Sequence, residues 1–218
     1  MNVPTHRPLR FLVLSASGRA DSLNARLARQ AADTIEGEGW TADVVSVNDF
    51  AVPGYDGDDE AAHGIPAGAE HLKQCLESAD ALVVVSPEYN GSMPGVLKNL
   101  IDWVSRFRPH PFSGMQTLLM SASPAMAGGN RGLWALRVPL EHLGARVYPD
   151  MFSLAVAHAM FTADGRLSED HLRQRLAVTV TNFVNLVEAT TYYPRAKQAW
   201  QAYLGQPPST EADHIPTA

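Results

Sequence analysis

Cysteine is almost absent. The lone Cys75 excludes an intrachain disulfide framework and fits a reducing compartment. It shares a predicted helix face with Leu72, Leu76 and Ala79, the setting of a structural thiol rather than a reactive one. No apolar run approaches the roughly 20 residues a membrane span needs. The opening residues MNVPTHRPLR hold no apolar signal-peptide core. The expected setting is cytoplasmic, with no membrane partner. Positive charge is in deficit: 17 Lys and Arg against 23 Asp and Glu leave −6 at pH 7. That withholds electrostatic support from a nucleic-acid partner. Familiar catalytic signatures are missing too. There is no GxxxxGK[ST] phosphate loop, no GxGxxG turn, no GxSxG elbow and no HExxH pair. The eight histidines are scattered. His63 and His71, near the acids of Asp56–Glu60, are the best metal candidates, and a solvated acidic loop is the plainer reading. No metal site is expected.

What is present is an alternation of apolar runs and amphipathic stretches. Ala81–Ser86 (ALVVVS) is a continuous apolar run, of the kind buried on both faces of a parallel sheet. Pro87–Pro94 follows, rich in Pro, Asn, Gly and Ser. Gly95–Arg106 then sets Leu97, Leu100, Ile101 and Val104 on one helical face. Phe11–Ser15, Asp43–Val47, Thr117–Ser121 and a segment within Ala145–Ala157 read as the other strands. A helix from Leu23 has Ser22 or Asp21 as its cap and Gly37–Gly39 as its stop. Another opens at Pro66. A third carries Leu133, Leu136, Leu140 and Leu143, and Pro139 predicts a kink or break in it. A last helix opens at Leu167–Asp170 under a Ser168 cap, with Leu172, Leu176, Val180, Phe183, Val184 and Val187 inward. Phe50–Gly64 reads as a loop and Pro194–Leu204 as a separate short helix. The order predicts an α/β fold: a five-stranded parallel sheet with helices on both faces. Residues 1–9 are expected to be a flexible arm, 10–190 the folded domain, and 191–218 an extension whose end, Gly205–Ala218, is disordered.

The first, third and fourth strands end in loops of small polar residues and glycine. One such loop is most simply a tight turn. Three at the carboxyl edge of one sheet point to a ligand site. The first, Ser15–Asn24, precedes a helix N-terminus, whose free N–H groups suit an anion. Ser17, Ser22 and Asn24 add neutral donors and Arg19 a charge, a set suited to a terminal phosphate. In the second, Tyr89 could stack on a flat ring or on a partner subunit. Glu88 and Asn90 could set geometry through the backbone, which is exposed around Gly91. Lys98 and Asp102 read as a surface ion pair. In the third, Ser121–Gly132, Ser123 is a donor, Gly128 and Gly129 allow close backbone approach, and Met126 either covers a ring or fills the core.

These residues carry a resemblance. The spacing S-x-R-x-x-S-x-N (Ser17, Arg19, Ser22, Asn24) comes first. S-P-E-Y-N-G-S-x-P-G-x-L-K-N-x-I-D-W follows over Ser86–Trp103, then a Ser-bearing loop ending in Gly128–Gly129. Together they resemble the NADPH-dependent FMN reductase family, the flavodoxin-like group that includes chromate, quinone and azo-dye reductases. The second motif is long and specific, the first moderately so, the third weak alone; the resemblance covers about residues 9–188. It implies a flavodoxin-like three-layer sandwich. By match, Ser17, Arg19, Ser22, Leu23 and Asn24 would hold the FMN phosphate. Pro87, Glu88, Tyr89 and Asn90, with the backbone at Gly91, would meet the ribityl chain and ring. Ser121, Ser123 and Gly128 would line the pyrimidine side. The resemblance further implies bound FMN, NADPH or NADH as co-substrate, and ping-pong hydride transfer to a quinone, free flavin, azo compound or metal oxyanion. It implies a homodimer or homotetramer with the flavin near the interface. The cofactor handles the hydride, so no catalytic side chain is expected. Arg106, Arg108 and Arg131 are candidates for a 2′-phosphate. Ala16 stands where many members have Gly, a Pro-Ala-Met insert alters the third loop, and the tail after Tyr193 exceeds the usual family end. That tail is expected to wrap a neighbouring subunit or cover the site. Two other readings compete: a flavodoxin-type electron carrier, against which the charge of Arg19 stands, and a non-catalytic flavin or nucleotide sensor.

Overall fold

A computed structural model describes residues 7–19 and 21–203. The first six residues of the expected arm, and Gly205–Ala218 of the expected disordered tail, lie outside the described residues. Of the arm's remainder, Arg7 pairs with Asp80 at 2.6 Å and Leu9 is fully buried.

The apolar runs form strands, as their continuous hydrophobicity predicts. They are β1 (Arg10–Ser15), β2 (Thr41–Ser46), β3 (Ala81–Val85) and β4 (Gln116–Ala122). All are parallel, and every residue of β3 and β4 is buried. The expected fifth strand is divided into β5 (Arg146–Val147) and β6 (Phe152–Leu154). β5 pairs with Gln116 and Thr117 of β4, and β6 with Met120–Ala122. Pro149 sits between them and has no N–H to give a ladder, so the strand breaks there. The order β2-β1-β3-β4-β5 makes β1 and β3 the central pair at which the winding reverses.

Strand alternation sends side chains to two cores. Phe11, Val13, Val83, Val85, Leu118 and Met120 pack beneath α1 (Leu23–Gly37) and α6 (Asp170–Tyr203). The loop expected at Phe50–Gly64 instead contains a short helix, α2 (Gly57–His63), with Asp56 accepting from the N–H groups of Asp58 and Asp59. After it come α3 (Ala67–Ser78), α4 (Gly95–Val104) and α5 (Asn130–His142). These three cover the other face through Leu12, Leu14, Leu82, Val84 and Leu119. The result is a flavodoxin-like three-layer sandwich.

Both interior prolines are tolerated. α5 runs through Pro139 to His142 and α6 through Pro194 to Tyr203, so the segment after Pro194 is not a separate helix. Within the long motif, Trp103 Nε1 and Asn99 Nδ2 both donate to the Pro53 carbonyl, at 2.9 and 2.8 Å, and Asn99 Oδ1 accepts from the Tyr55 N–H. That end of the motif holds the loop after β2. Lys98 and Asp102 form the expected pair at 2.7 Å. Cys75 is half-buried against the second core, and burial raises its thiol above the ordinary cysteine range. Among the described residues, no three or more His, Cys, Asp or Glu cluster as a metal site, and no helix is long and apolar enough to cross a membrane. His71 instead packs on the Phe50 ring, 5.0 Å between centroids.

Candidate functional site

The loops after β1, β3 and β4 converge at the carboxyl edge of the sheet. They enclose a crevice of about 510 Å³, within the range of small-molecule sites. Ser17, Arg19, Ser22, Leu23 and Asn24 line it from the first loop and α1. Pro87, Glu88 and Tyr89 line it from the second, and Ser123 from the third. So most of the residues singled out by sequence meet in one place.

At the first wall Ser22 caps α1, its hydroxyl accepting from the N–H groups of Asn24 and Ala25 at 3.2 and 3.4 Å. The helix N-terminus is thereby part of the crevice, with the positive end of its dipole there. Ser17 is buried, and neither its hydroxyl nor the Arg19 guanidinium has a partner among the described residues. A guanidinium and a hydroxyl without partners among the described residues, set beside a helix N-terminus, have the chemistry to receive an anion. Asn24 has a second task. Its amide gives Nδ2–H to the Ala122 carbonyl and accepts the Ala122 N–H at Oδ1, both at 2.9 Å and both buried. That reciprocal pair fastens the start of α1 to the end of β4.

The second wall is a hairpin tip. Tyr89 and Ser92 exchange backbone hydrogen bonds of 2.8 and 3.0 Å. Asn90 and Gly91 between them have φ of 53° and 76°, the type I′ geometry that Asn-Gly favours. Tyr89 is half exposed at the crevice wall. Asn90 and Gly91 form the exposed tip and do not line the crevice. Glu88 turns toward α5. Its Oε2 accepts from the N–H groups of Arg131 and Gly132 at 3.1 and 3.2 Å, and its Oε1 meets the Arg131 guanidinium at 2.7 Å. α5 has no cap of its own, its N-cap being Gly129 in the left-handed region, and Glu88 supplies one from another loop. The approach is close: a Cβ on Gly132 would lie 3.1 Å from the Glu88 backbone.

The third wall divides the expected set. Ser123 is at the crevice, but the Ser121 hydroxyl is buried without a partner, beside Gly129. Gly128 packs its backbone against Leu154 and Ala155, away from the crevice. Sequence reasoning missed Asp21, Ala122, Pro124 and His158 as lining residues. Asp21 is occupied by Arg26 at 2.6 Å. His158 arrives from the short turn Ala157–Ala159 after β6, where no local pattern marks it. The arginines proposed for a 2′-phosphate are engaged elsewhere. Arg106 pairs with Glu60 at 3.0 Å, and that hydrogen bond, with one from Tyr55, holds the Glu60 carboxyl below its usual range. Arg108 donates to the Ser105 and Phe107 carbonyls, and Arg131 is held by Glu88.

Known proteins resemble this chain in sequence and in fold. Residues 9–159 match the model of the NADPH-dependent FMN reductase family. A quinone reductase of Escherichia coli is 31% identical over 182 residues, 83% of this chain and 96% of that protein. An NAD(P)H-dependent FMN reductase of Pseudomonas aeruginosa is 33% identical over 168 residues, 76% of this chain and 88% of that protein. Among solved structures, the flavoenzyme NAD(P)H:(acceptor) oxidoreductase FerB of Paracoccus denitrificans superposes with a TM-score of 0.70 at 28% identity, covering 83% of this chain and 97% of FerB.

Proposed function

The chain belongs to the NADPH-dependent FMN reductase family and is an oxidoreductase, and we propose that it holds FMN in the crevice and transfers hydride from NADPH or NADH to a small acceptor. Quinones, free flavins, azo compounds and metal oxyanions are the proposed acceptors. The observation that carries the reading is Arg19, without a partner among the described residues, beside Ser17 and the α1 N-terminus, at one wall of a crevice with Tyr89 at another.

These residues fit the cofactor. The anion receptor suits a phosphomonoester, the volume suits a ring of that size, and Tyr89 offers an aromatic face. Bound FMN would supply hydride acceptance and release. The chain's part is positional: Arg19, Ser17, Ser22 and Leu23 hold the phosphate end, and Pro87 and Tyr89 flank the ring. Asn24 and Glu88 keep the three loops in register. Ser123 and His158 are polar groups at the remaining wall. No side chain is required to form or break a bond. Reductant and acceptor are proposed to take turns at the same flavin face, a ping-pong order that predicts parallel double-reciprocal lines. The folded unit is proposed to span residues 10–190, with 191–218 as an extension. The half-buried single thiol fits a cytoplasmic setting.

Mixing FMN-loaded protein with NADPH without oxygen tests the reading: the flavin absorbance should bleach within seconds. A spectrum that stays oxidised would favour an electron carrier or sensor instead. Arg19→Ala should weaken FMN binding roughly 10- to 100-fold through loss of a charge-assisted contact. Unchanged flavin affinity by fluorescence titration would remove Arg19 from the phosphate site.

Self-association as a homodimer or homotetramer is proposed from the surface. Val96 on α4, and Trp134 and Val138 one turn apart on α5, are 50–69% exposed on the same side of the sheet. Large apolar side chains exposed on that layer are the proposed contact surface. Trp134→Glu should lower the mass measured by light scattering, and an unaltered mass would place the interface elsewhere.

A further inference from the structure

Ser17 and Arg19 have the crevice on one side and a second opening, of about 440 Å³, on the other. The second lies at the β1–β2 edge beneath α1. Parallel register sets Ser15 beside Ser46. Alternation turns Ser15 the same way as Phe11 and Val13, toward α1. Ser15 is 4% exposed, and its hydroxyl has no hydrogen-bond partner. A buried hydroxyl in that state takes an ordered water or a bound group as its partner, as the Ser121 hydroxyl would.

Two arginines border the same opening: Arg29 from α1 and Arg19 from the loop. Neither forms an ion pair among the described residues. The one acid among the described lining residues, Asp49, is committed, its carboxylate accepting the Ser46 N–H at 2.7 Å. Asn48 gives its amide to the Gly18 carbonyl at 3.0 Å and ties the loop across the opening. In a chain of net charge −6, Arg29, without an ion pair among the described residues, gives the groove a guanidinium of its own, and Arg19 borders it on the side shared with the crevice. Guanidinium forks and hydroxyls together match the oxygens of a phosphomonoester.

We infer that this groove is a second anion site, centred on Arg29 and adjoining the one proposed for the FMN phosphate, and that it takes the 2′-phosphate of NADPH. The second half rests on the reductase reading, which supplies a nucleotide whose two forms differ in that group. The groove adjoins the crevice through Ser17 and Arg19, and the other candidate arginines are engaged. Arg29 is then a specificity residue that touches neither the flavin site nor the hydride.

Calorimetry on the FMN-loaded chain, with 2′,5′-ADP and 5′-AMP as probes, reads the groove without turnover. The 2′,5′-ADP should bind roughly tenfold tighter, as one charge-assisted phosphate contact predicts. Arg29→Ala should abolish that difference with flavin content unchanged, and Arg29→Lys should keep part of it. In turnover, Arg29→Ala should raise KM for NADPH about tenfold and leave KM for NADH within about twofold. Equal binding of the two probes, or a preference that survives Arg29→Ala, would overturn the site. Displacement of 2′,5′-ADP by orthophosphate at equal concentration would overturn the assignment to NADPH. A wild-type protein that oxidises neither nucleotide sinks the reductase reading, while the calorimetry still decides the groove.

Discussion

Asn24→Ala is expected to lower stability by roughly 3 kcal/mol, because each of two buried backbone groups loses its partner at a cost of about 1–3 kcal/mol. The groups are the Ala122 N–H and carbonyl, both held at 2.9 Å by one side-chain amide. Both belong to the last residue of β4, which is 2% exposed with the Asn24 side chain in place. For a chain of this size, about 3 kcal/mol corresponds to a fall in the thermal midpoint of roughly 6–12 °C. Asn24→Asp should rescue little. It keeps an acceptor for the Ala122 N–H but sets a carboxylate oxygen against the Ala122 carbonyl. FMN binding should weaken in both variants, since the pair is what brings the α1 N-terminus to the third loop. A thermal midpoint within about 2 °C of the parent would show that the pair contributes no net stability.

Glu88→Ala is expected to cost about 2–3 kcal/mol. The carboxylate is an N-cap for α5 borrowed from the β3 loop, and a lost cap costs about 1 kcal/mol. This cap is charged and its side chain is 9% exposed, which moves the loss toward the 1.5–3 kcal/mol of a charged hydrogen bond. The guanidinium of Arg131 adds little, being 70% exposed and screened by water. Glu88→Gln retains one acceptor oxygen and loses the charge, so it should fall between alanine and the parent. Hydrogen exchange distinguishes this from a general loss of packing. The amides of Arg131 and Gly132 should exchange faster in both variants, while amides in β1 and β3 keep their order relative to one another. The Tyr89–Ser92 hairpin should loosen as well, because Glu88 is what ties it to α5. Flavin binding and stability are therefore expected to fall together in Glu88→Ala. In Arg19→Ala, whose side chain has no partner among the described residues, binding should fall alone.

The amino-acid sequence determined by itself the features that depend on adjacent residues. Continuous apolar runs, β-branched in β3 and Leu-Leu-Met in β4, became strands buried along their whole length. The Ser22 hydroxyl sits two residues from an amide it can cap. Asn90-Gly91 is a pair that tolerates positive φ at both positions, so it turned the hairpin. The family motif marked the loops, and most of its polar residues do meet at one crevice. Proximity between distant segments was decided by tertiary structure. Asn24 finds Ala122 across 98 positions and Glu88 finds the α5 N-terminus across 43, each through strand register and close backbone approach that no local periodicity encodes. The same holds for the β5–β6 division, for α6 running on through Pro194, and for His158 reaching the crevice. The pairing of Arg19 and Arg29 around the buried Ser15 hydroxyl is likewise a product of packing. In sequence they are a loop charge, a helix charge and the end of a strand. They share a groove because β2 lies in register beside β1 and α1 crosses above both.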